Sequence, residues 1–133
     1  MGIYLNPGNE AFRISKSSEI YIDKSEMIAF TNSKLGQEKR FICVSRPRRF
    51  GKSMAANMLA AYYGKGCLSE KLFNRYKIAK RKSYRKNLNQ YNVIALNIQN
   101  FLGVVSSVDE LTAYIQSEIL EEIKEHFPDK IPE

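Results

Sequence analysis

The chain has 133 residues, enough for one domain with a hydrophobic core, and its hydrophobic fraction of 44% and charged fraction of 26% are ordinary for a soluble globular protein. No apolar run approaches the ~20 residues that cross a bilayer, and the first residues lack the basic flank and apolar core of a signal peptide, so we expect a cytoplasmic protein without a membrane partner. The net charge of +7 favours anionic partners such as nucleotides, nucleic acids or acidic proteins, although it also serves solubility.

The first predicted unit is an N-terminal segment, residues 1–38, that contains one short helix. Residues 19–22 alternate polar and apolar side chains, which indicates a short strand before it. Asp23 is predicted to be the N-cap of the helix, with Glu26 three positions later as in a capping box. The helix is expected to end near residues 31–33.

The second predicted unit, residues 39–133, reads strand, loop, helix, strand, helix. Residues 41–44 and 92–98 are apolar runs without polar alternation, typical of strands covered on both faces of a parallel sheet. Helices are predicted for residues 51–63, stopped by Gly64, and from a capping box at residues 107–110 to about His126. The expected fold class is therefore α/β, a partial P-loop NTPase-type three-layer sandwich with a parallel sheet.

The loop between the first of these strands and its helix reads S-R-P-R-R-F-G-K-S, residues 45–53. A strand, a loop with Gly-Lys-Ser and a helix form the arrangement of a phosphate-binding P-loop. Gly51 allows close approach of the backbone to phosphate, Lys52 would bind the β- and γ-phosphates, and the Ser53 hydroxyl would meet Mg²⁺. The alternative is a solvated basic turn at a helix start.

The loop departs from the pattern G-x-x-x-x-G-K-[ST], because Arg46 replaces the first glycine and Pro47 lacks an N–H. Arg48 and Arg49 can compensate with guanidinium groups, which suit phosphate oxygens. The predicted nucleotide-binding residues are Arg46, Arg48, Arg49, Phe50, Gly51, Lys52, Ser53 and Met54, with Ser53 also the Mg²⁺ ligand through the bound nucleotide.

This loop, together with Y-I-D-K-S-E-M-I at residues 21–28, resembles the N-terminal part of the AAA-ATPase-like family. The family signature is similar to Y-x-D-K-[ST]-x-x-[IL] followed by [ST]-R-P-R-R-F-G-K-[ST], with arginine in place of the first P-loop glycine. The likeness continues through residues 91–97 and covers most of the chain. It implies ATP and Mg²⁺ as ligands and, since family members are several times longer, that residues 1–133 are the N-terminal portion of such a protein.

No apolar run that ends in Asp or Glu follows the second predicted strand, so the Walker B acid is missing from the pattern. We therefore expect nucleotide binding without hydrolysis by this chain alone, and no catalytic residue is assigned. The exposed edges of an incomplete sheet would favour self-association.

Two other functions remain open from the sequence. The first is a nucleic-acid-binding module that uses residues 46–52 and the basic run at residues 77–86, with Tyr76, Tyr84 and Tyr91 interleaved. The second is an interaction fragment whose P-loop binds nothing. The glutamates of the last helix are interpreted as a solvated face.

Overall fold

A computed structural model describes residues 2–45, Pro47 and residues 51–130 of the chain. Within these ranges the chain folds as helices joined by loops and short 3₁₀ turns. The helices are α1 (Glu10–Lys16), α2 (Glu26–Lys34), α3 (Lys52–Tyr63), α4 (Glu70–Phe73), α5 (Tyr84–Asn87), α6 (Gln99–Leu102) and α7 (Val108–His126), and the 3₁₀ turns are Glu38–Arg40, Lys77–Lys80 and Pro128–Lys130.

The predicted α/β fold with a parallel sheet is wrong, because the described residues form no strand. Residues 41–45 lie outside any helix, and the side chain of Phe41 is 84% exposed. Residues 92–98 also stay exposed or half-buried, and the pairing there is limited to an isolated antiparallel bridge between Leu5 and Ile94.

The two runs have the composition of buried strands but lack the neighbours that make a strand. A strand obtains its backbone hydrogen bonds from the strands beside it, so an apolar run without such partners gains no ladder. The open sheet edges expected to drive self-association are likewise absent from the described residues. What remains are exposed apolar side chains, including Phe41, Ile94 and Leu96.

The hydrophobic core surrounds the second half of α3. The prediction of this helix is confirmed, since α3 spans Lys52–Tyr63 and Gly64 follows as its C-cap. The core side chains are Phe12, Ile28, Met58, Ala61, Tyr62, Phe73, Ile78 and Tyr84. Phe12 of α1 stacks on Phe73 of α4 with ring centroids 4.9 Å apart. The surrounding segments thus hold α3 in place and fix the direction of its N-terminus.

Tyr62 is the polar centre of this core, although its side chain is fully buried. Its hydroxyl donates to the carbonyl of Tyr84 (2.7 Å) and accepts from the Asn32 amide (3.1 Å). Burial raises the pKa of Tyr62 to about 12, so the phenol stays neutral and keeps its donor at physiological pH.

The C-terminal helix α7 begins as predicted, with the Ser107 hydroxyl accepting a hydrogen bond from the backbone N–H of Glu110 at 3.2 Å. None of its residues is buried. Its apolar stripe is instead half-covered, mainly by α6, where the ring of Phe101 lies 5.8 Å from that of Tyr114.

The glutamates of α7 are not all solvated, and for Glu122 that interpretation is wrong. Its carboxylate accepts hydrogen bonds from the backbone N–H groups of Ile3 (2.6 Å), Tyr4 (3.0 Å) and Leu5 (2.7 Å). Partial desolvation raises the pKa of this carboxyl, but the hydrogen bonds outweigh it and the net pKa is lowered. The N-terminal residues and α7 are thus joined by a carboxylate clasp, which consists of Glu122 and residues 3–5.

Candidate functional site

The candidate site begins at Gly51, the N-cap of α3. Gly51 has φ 80° and ψ 23°, in the left-handed region that favours glycine. A Cβ added at this position would also lie 2.8 Å from the Nζ of Lys24, so the end of that flexible side chain would have to move. The backbone conformation therefore favours glycine at residue 51, and a larger residue would also displace the end of the Lys24 side chain.

The first turn of α3 presents a positive end to solvent. The leading N–H groups of a helix have no intrahelical acceptor, and Gly51 has no side chain with which to accept from them. No acidic residue stands in the first turn, and Lys52 and Ser53 are exposed. Such a helix start attracts anions through its N–H groups and its dipole.

The structure places four of the eight predicted nucleotide-binding residues. Gly51, Lys52, Ser53 and Met54 are consecutive at the start of α3, and the Met54 side chain is 36% exposed. The others, Arg46, Arg48, Arg49 and Phe50, lie outside the described residues. The roles assigned to all eight stay predictions.

Lys24 is a residue of this site that reasoning from the sequence missed. Its ammonium lies beside Gly51, although the two residues are 27 positions apart in the sequence. The signal was present in the Asp-Lys pair of the N-terminal motif, but the pair was interpreted through the capping role of Asp23 alone.

Asp23 does not cap α2 as predicted, because the helix starts at Glu26 and its N-cap is Ser25. The Asp23 carboxylate instead accepts from the backbone N–H of Ser25 (2.8 Å) and that of Lys77 (3.0 Å). Partial burial raises the pKa of the carboxyl, but the hydrogen bonds from Ser25 and Lys77 outweigh it and the pKa is lowered. Asp23 therefore anchors the backbone from which Lys24 reaches Gly51.

Glu26 likewise does not complete a capping box. Its carboxylate accepts hydrogen bonds from the guanidinium of Arg81 at 2.9 and 3.0 Å. This pair ties the start of α2 to the segment after the Lys77–Lys80 turn.

Two cavities flank the first turns of α3, and both include Ala55 in their walls. The first, here called the Lys24 cavity, has a volume of about 260 Å³ and is lined by Ile20, Tyr21, Ile22, Lys24, Gly51, Met54, Ala55 and Met58. The second, here called the Arg40 cavity, has a volume of about 430 Å³ and is lined by Met27, Thr31, Arg40, Ile42, Val44, Lys52, Ala55, Ala56 and Leu59. The start of α3 thus lies between two concave surfaces.

The described residues contain no group of three or more His, Cys, Asp or Glu side chains placed to hold a metal ion. Neither cavity beside α3 has an acidic side chain among its described lining residues.

The basic run near residues 77–86 forms an exposed surface with Lys77, Lys80 and Lys82. Tyr84, which the nucleic-acid interpretation counted among the stacking rings, is only 3% exposed and belongs to the core. Tyr91 is 40% exposed. The surface therefore offers charge for phosphate contacts but less aromatic area than the sequence indicated.

None of the helices in the described ranges combines the length and the apolar character that a membrane span requires.

A comparison with protein families finds that the model described as "Predicted AAA-ATPase" matches residues 8–132. Comparisons with curated proteins and with solved structures find no match.

Proposed function

The chain belongs to the AAA-ATPase-like family of predicted AAA-ATPases, and from this premise we propose that it binds a nucleoside triphosphate with the phosphates at the start of α3. The single observation that carries the proposal is the geometry of Gly51. This residue has the left-handed conformation that favours glycine, and it opens a helix whose first turn contains Lys52 and Ser53 and no acidic residue.

Each residue of the first turn has a role in the proposal. Gly51 and the following N–H groups would surround phosphate oxygens, and the Lys52 ammonium would contact the β- and γ-phosphates. The Ser53 hydroxyl is the oxygen of this chain that would face a nucleotide-bound Mg²⁺, which reduces the negative charge of the phosphates. Arg46, Arg48 and Arg49 would add positive charge before the helix, and Phe50 and Met54 would flank the site. ATP with Mg²⁺ is the ligand that membership of the family favours.

The proposal is confined to binding. Hydrolysis in P-loop ATPases needs an acidic residue near the phosphates to organise Mg²⁺ and the attacking water. The described linings of the two cavities beside α3 supply none. We therefore propose that this chain alone binds nucleotide without rapid turnover.

The test is equilibrium binding of a fluorescent ATP analogue, with and without Mg²⁺, to the wild type, Lys52→Ala and Lys65→Ala. Lys65 is a matched control, because its side chain is exposed just beyond the other end of the same helix. A charge-assisted contact contributes ~1.5–3 kcal/mol, so Lys52→Ala should weaken binding by roughly 10- to 100-fold. Lys65→Ala should change it less than about twofold, as expected for a solvated charge. Equal affinity of the wild type and Lys52→Ala would refute the phosphate site.

Nucleic-acid binding through the exposed lysines of residues 77–86 is the second candidate, and the exposure of Lys77, Lys80 and Lys82 favours it. It is distinguished by salt, because affinity for single-stranded DNA should fall steeply between ~50 and ~200 mM salt. The loss should be spread over several lysines and should not depend on Lys52.

A further inference from the structure

The Lys24 cavity follows one face of α3. Gly51, Met54 and Met58 lie on its wall at spacings of three and four residues, so they succeed one another along one side of the helix. Seven residues of α-helix rise by about 10 Å, which is the distance that these wall residues span along α3. Gly51 and Lys24 define the end at the start of α3, and Met58, only 1% exposed, defines the buried end.

The facing wall is apolar and accessible. Ile20 and Ile22 are 83% and 69% exposed, although both are large aliphatic side chains at a cavity. Methionine side chains on the α3 wall are unbranched and polarizable, so they adapt to a flat ring.

We propose that the Lys24 cavity holds the nucleoside part of the ligand, and that Lys24 contacts the phosphate where sugar and phosphates meet. This inference rests on the proposed function, since it places the rest of the same ligand. The volume of about 260 Å³ lies near the lower limit of ~300 Å³ for small-molecule sites. It therefore suits a base and sugar whose phosphates remain outside, at the start of α3.

The position of Lys24 agrees with a phosphate at that boundary. Its ammonium lies 2.8 Å from the place where a Cβ of Gly51 would stand, so an anion bound by the N–H groups at the start of α3 would be within its reach.

The Arg40 cavity is the less suitable place for a base. Its volume of about 430 Å³ is sufficient, but its lining includes the cations of Arg40 and Lys52. The hydroxyl of Thr31 in its wall is already bonded to that of Tyr63 at 2.6 Å. Its chemistry favours an anion more than an uncharged ring.

The experiment compares calorimetric affinities for ATP and for inorganic tripolyphosphate, both with Mg²⁺, across four proteins. Ile22→Asn removes an exposed apolar wall, Lys24→Gln removes the cation, and Val44→Asn is the control in the Arg40 cavity, where Val44 is 46% exposed. Ile22→Asn should weaken ATP binding about tenfold, as for the loss of part of one buried aliphatic side chain, and leave tripolyphosphate binding unchanged. Lys24→Gln should weaken both ligands, and Val44→Asn neither.

Each contrary result has a distinct meaning. Equal wild-type affinity for ATP and tripolyphosphate would remove the nucleoside subsite while leaving the phosphate site intact. A loss of ATP affinity confined to Val44→Asn would place the base in the Arg40 cavity and overturn the inference. Binding of neither ligand to the wild type would overturn the proposed function and this inference together. Thermal unfolding of each variant, followed by circular dichroism, separates loss of binding from loss of folding. Ile20→Asn is a second variant of the same wall, in case Ile22→Asn does not fold.

Discussion

Asn89 closes the C-terminal end of α3 from a distant loop, and its removal should be among the most destabilising single changes outside the apolar core. Its amide nitrogen donates to the carbonyls of Ala61 and Gly64, both at 3.0 Å, and its amide oxygen accepts from the N–H of Ser69 at 3.1 Å. Ser69 is fully buried, so that N–H has no solvent to replace the bond. Asn89 also adopts φ 55°, a left-handed conformation that asparagine tolerates better than alanine.

The magnitude of Asn89→Ala follows from these contacts. Three hydrogen bonds at ~1 kcal/mol each, and ~1 kcal/mol for alanine in the left-handed region, give a loss of about 3–4 kcal/mol in the free energy of unfolding. Asn89→Gly loses the same hydrogen bonds without the backbone strain, so it should be about 1 kcal/mol less harmful than alanine. Gln90→Ala, at the exposed neighbouring position, is the matched control and should stay within ~0.5 kcal/mol.

Urea unfolding followed by far-UV circular dichroism measures these differences in the free energy of unfolding, provided that its dependence on urea concentration (the m-value) is the same for all variants. A loss below ~1 kcal/mol for Asn89→Ala, or equal losses for alanine and glycine, would refute the account of Asn89 as a cap held in a strained conformation.

Three further predictions concern the carboxylate clasp and the start of α2. Gly2→Ala should destabilise the chain by roughly 1–2 kcal/mol in urea unfolding, because the new Cβ would lie 2.7 Å from both the Glu122 carboxylate and the Leu5 carbonyl; no change would contradict the close packing. The pKa of Glu122 is lowered in the folded state, so its contribution to stability is present above the pKa of the unfolded carboxyl, ~4.3, and is lost as pH falls through the folded value. The difference in the free energy of unfolding between the wild type and Glu122→Gln should therefore shrink on acidification from pH 6. A difference that stays constant with pH would argue against the clasp. Ser25→Ala should cost ~1–3 kcal/mol, since the buried N–H of Ile78 donates to the Ser25 hydroxyl at 3.2 Å and would lose its acceptor, whereas Ser33→Ala on the exposed face of α2 should be nearly neutral.

The helices with strong local signals were predictable from the sequence. The capping box at Ser107 fixes the start of α7, and the helical spacing after Gly51 fixes α3, because the interactions responsible lie within a few residues of each other. The short helices α4, α5 and α6 have four residues each, too few for a periodic pattern to identify them.

The prediction of a parallel sheet was wrong because a strand depends on partner strands, and local composition does not reveal whether they are present. Residues 92–98 have the β-branched content of a buried strand, yet Ile94 forms only an isolated bridge with Leu5. The same limit applies to the candidate site. Gly51, Lys52 and Ser53 were found from a contiguous motif, whereas the approach of Lys24 to Gly51 depends on Asp23 bonding to Lys77 far along the chain.

The carboxylate clasp also has a consequence for the order in which the molecule opens and closes. Its hydrogen bonds join residues 117 to 119 positions apart, the longest loops that the described contacts close. The entropy lost in closing a loop increases with its length, so the clasp should form after the core around Tyr62 has brought the ends together. Because α7 has no fully buried residue, the clasp and the contact of Tyr114 with Phe101 of α6 are its main described attachments, and rupture of the clasp would free the end of the helix near Glu122. The amides of α7 should therefore exchange with solvent through a local opening, at lower free energy than those of α3.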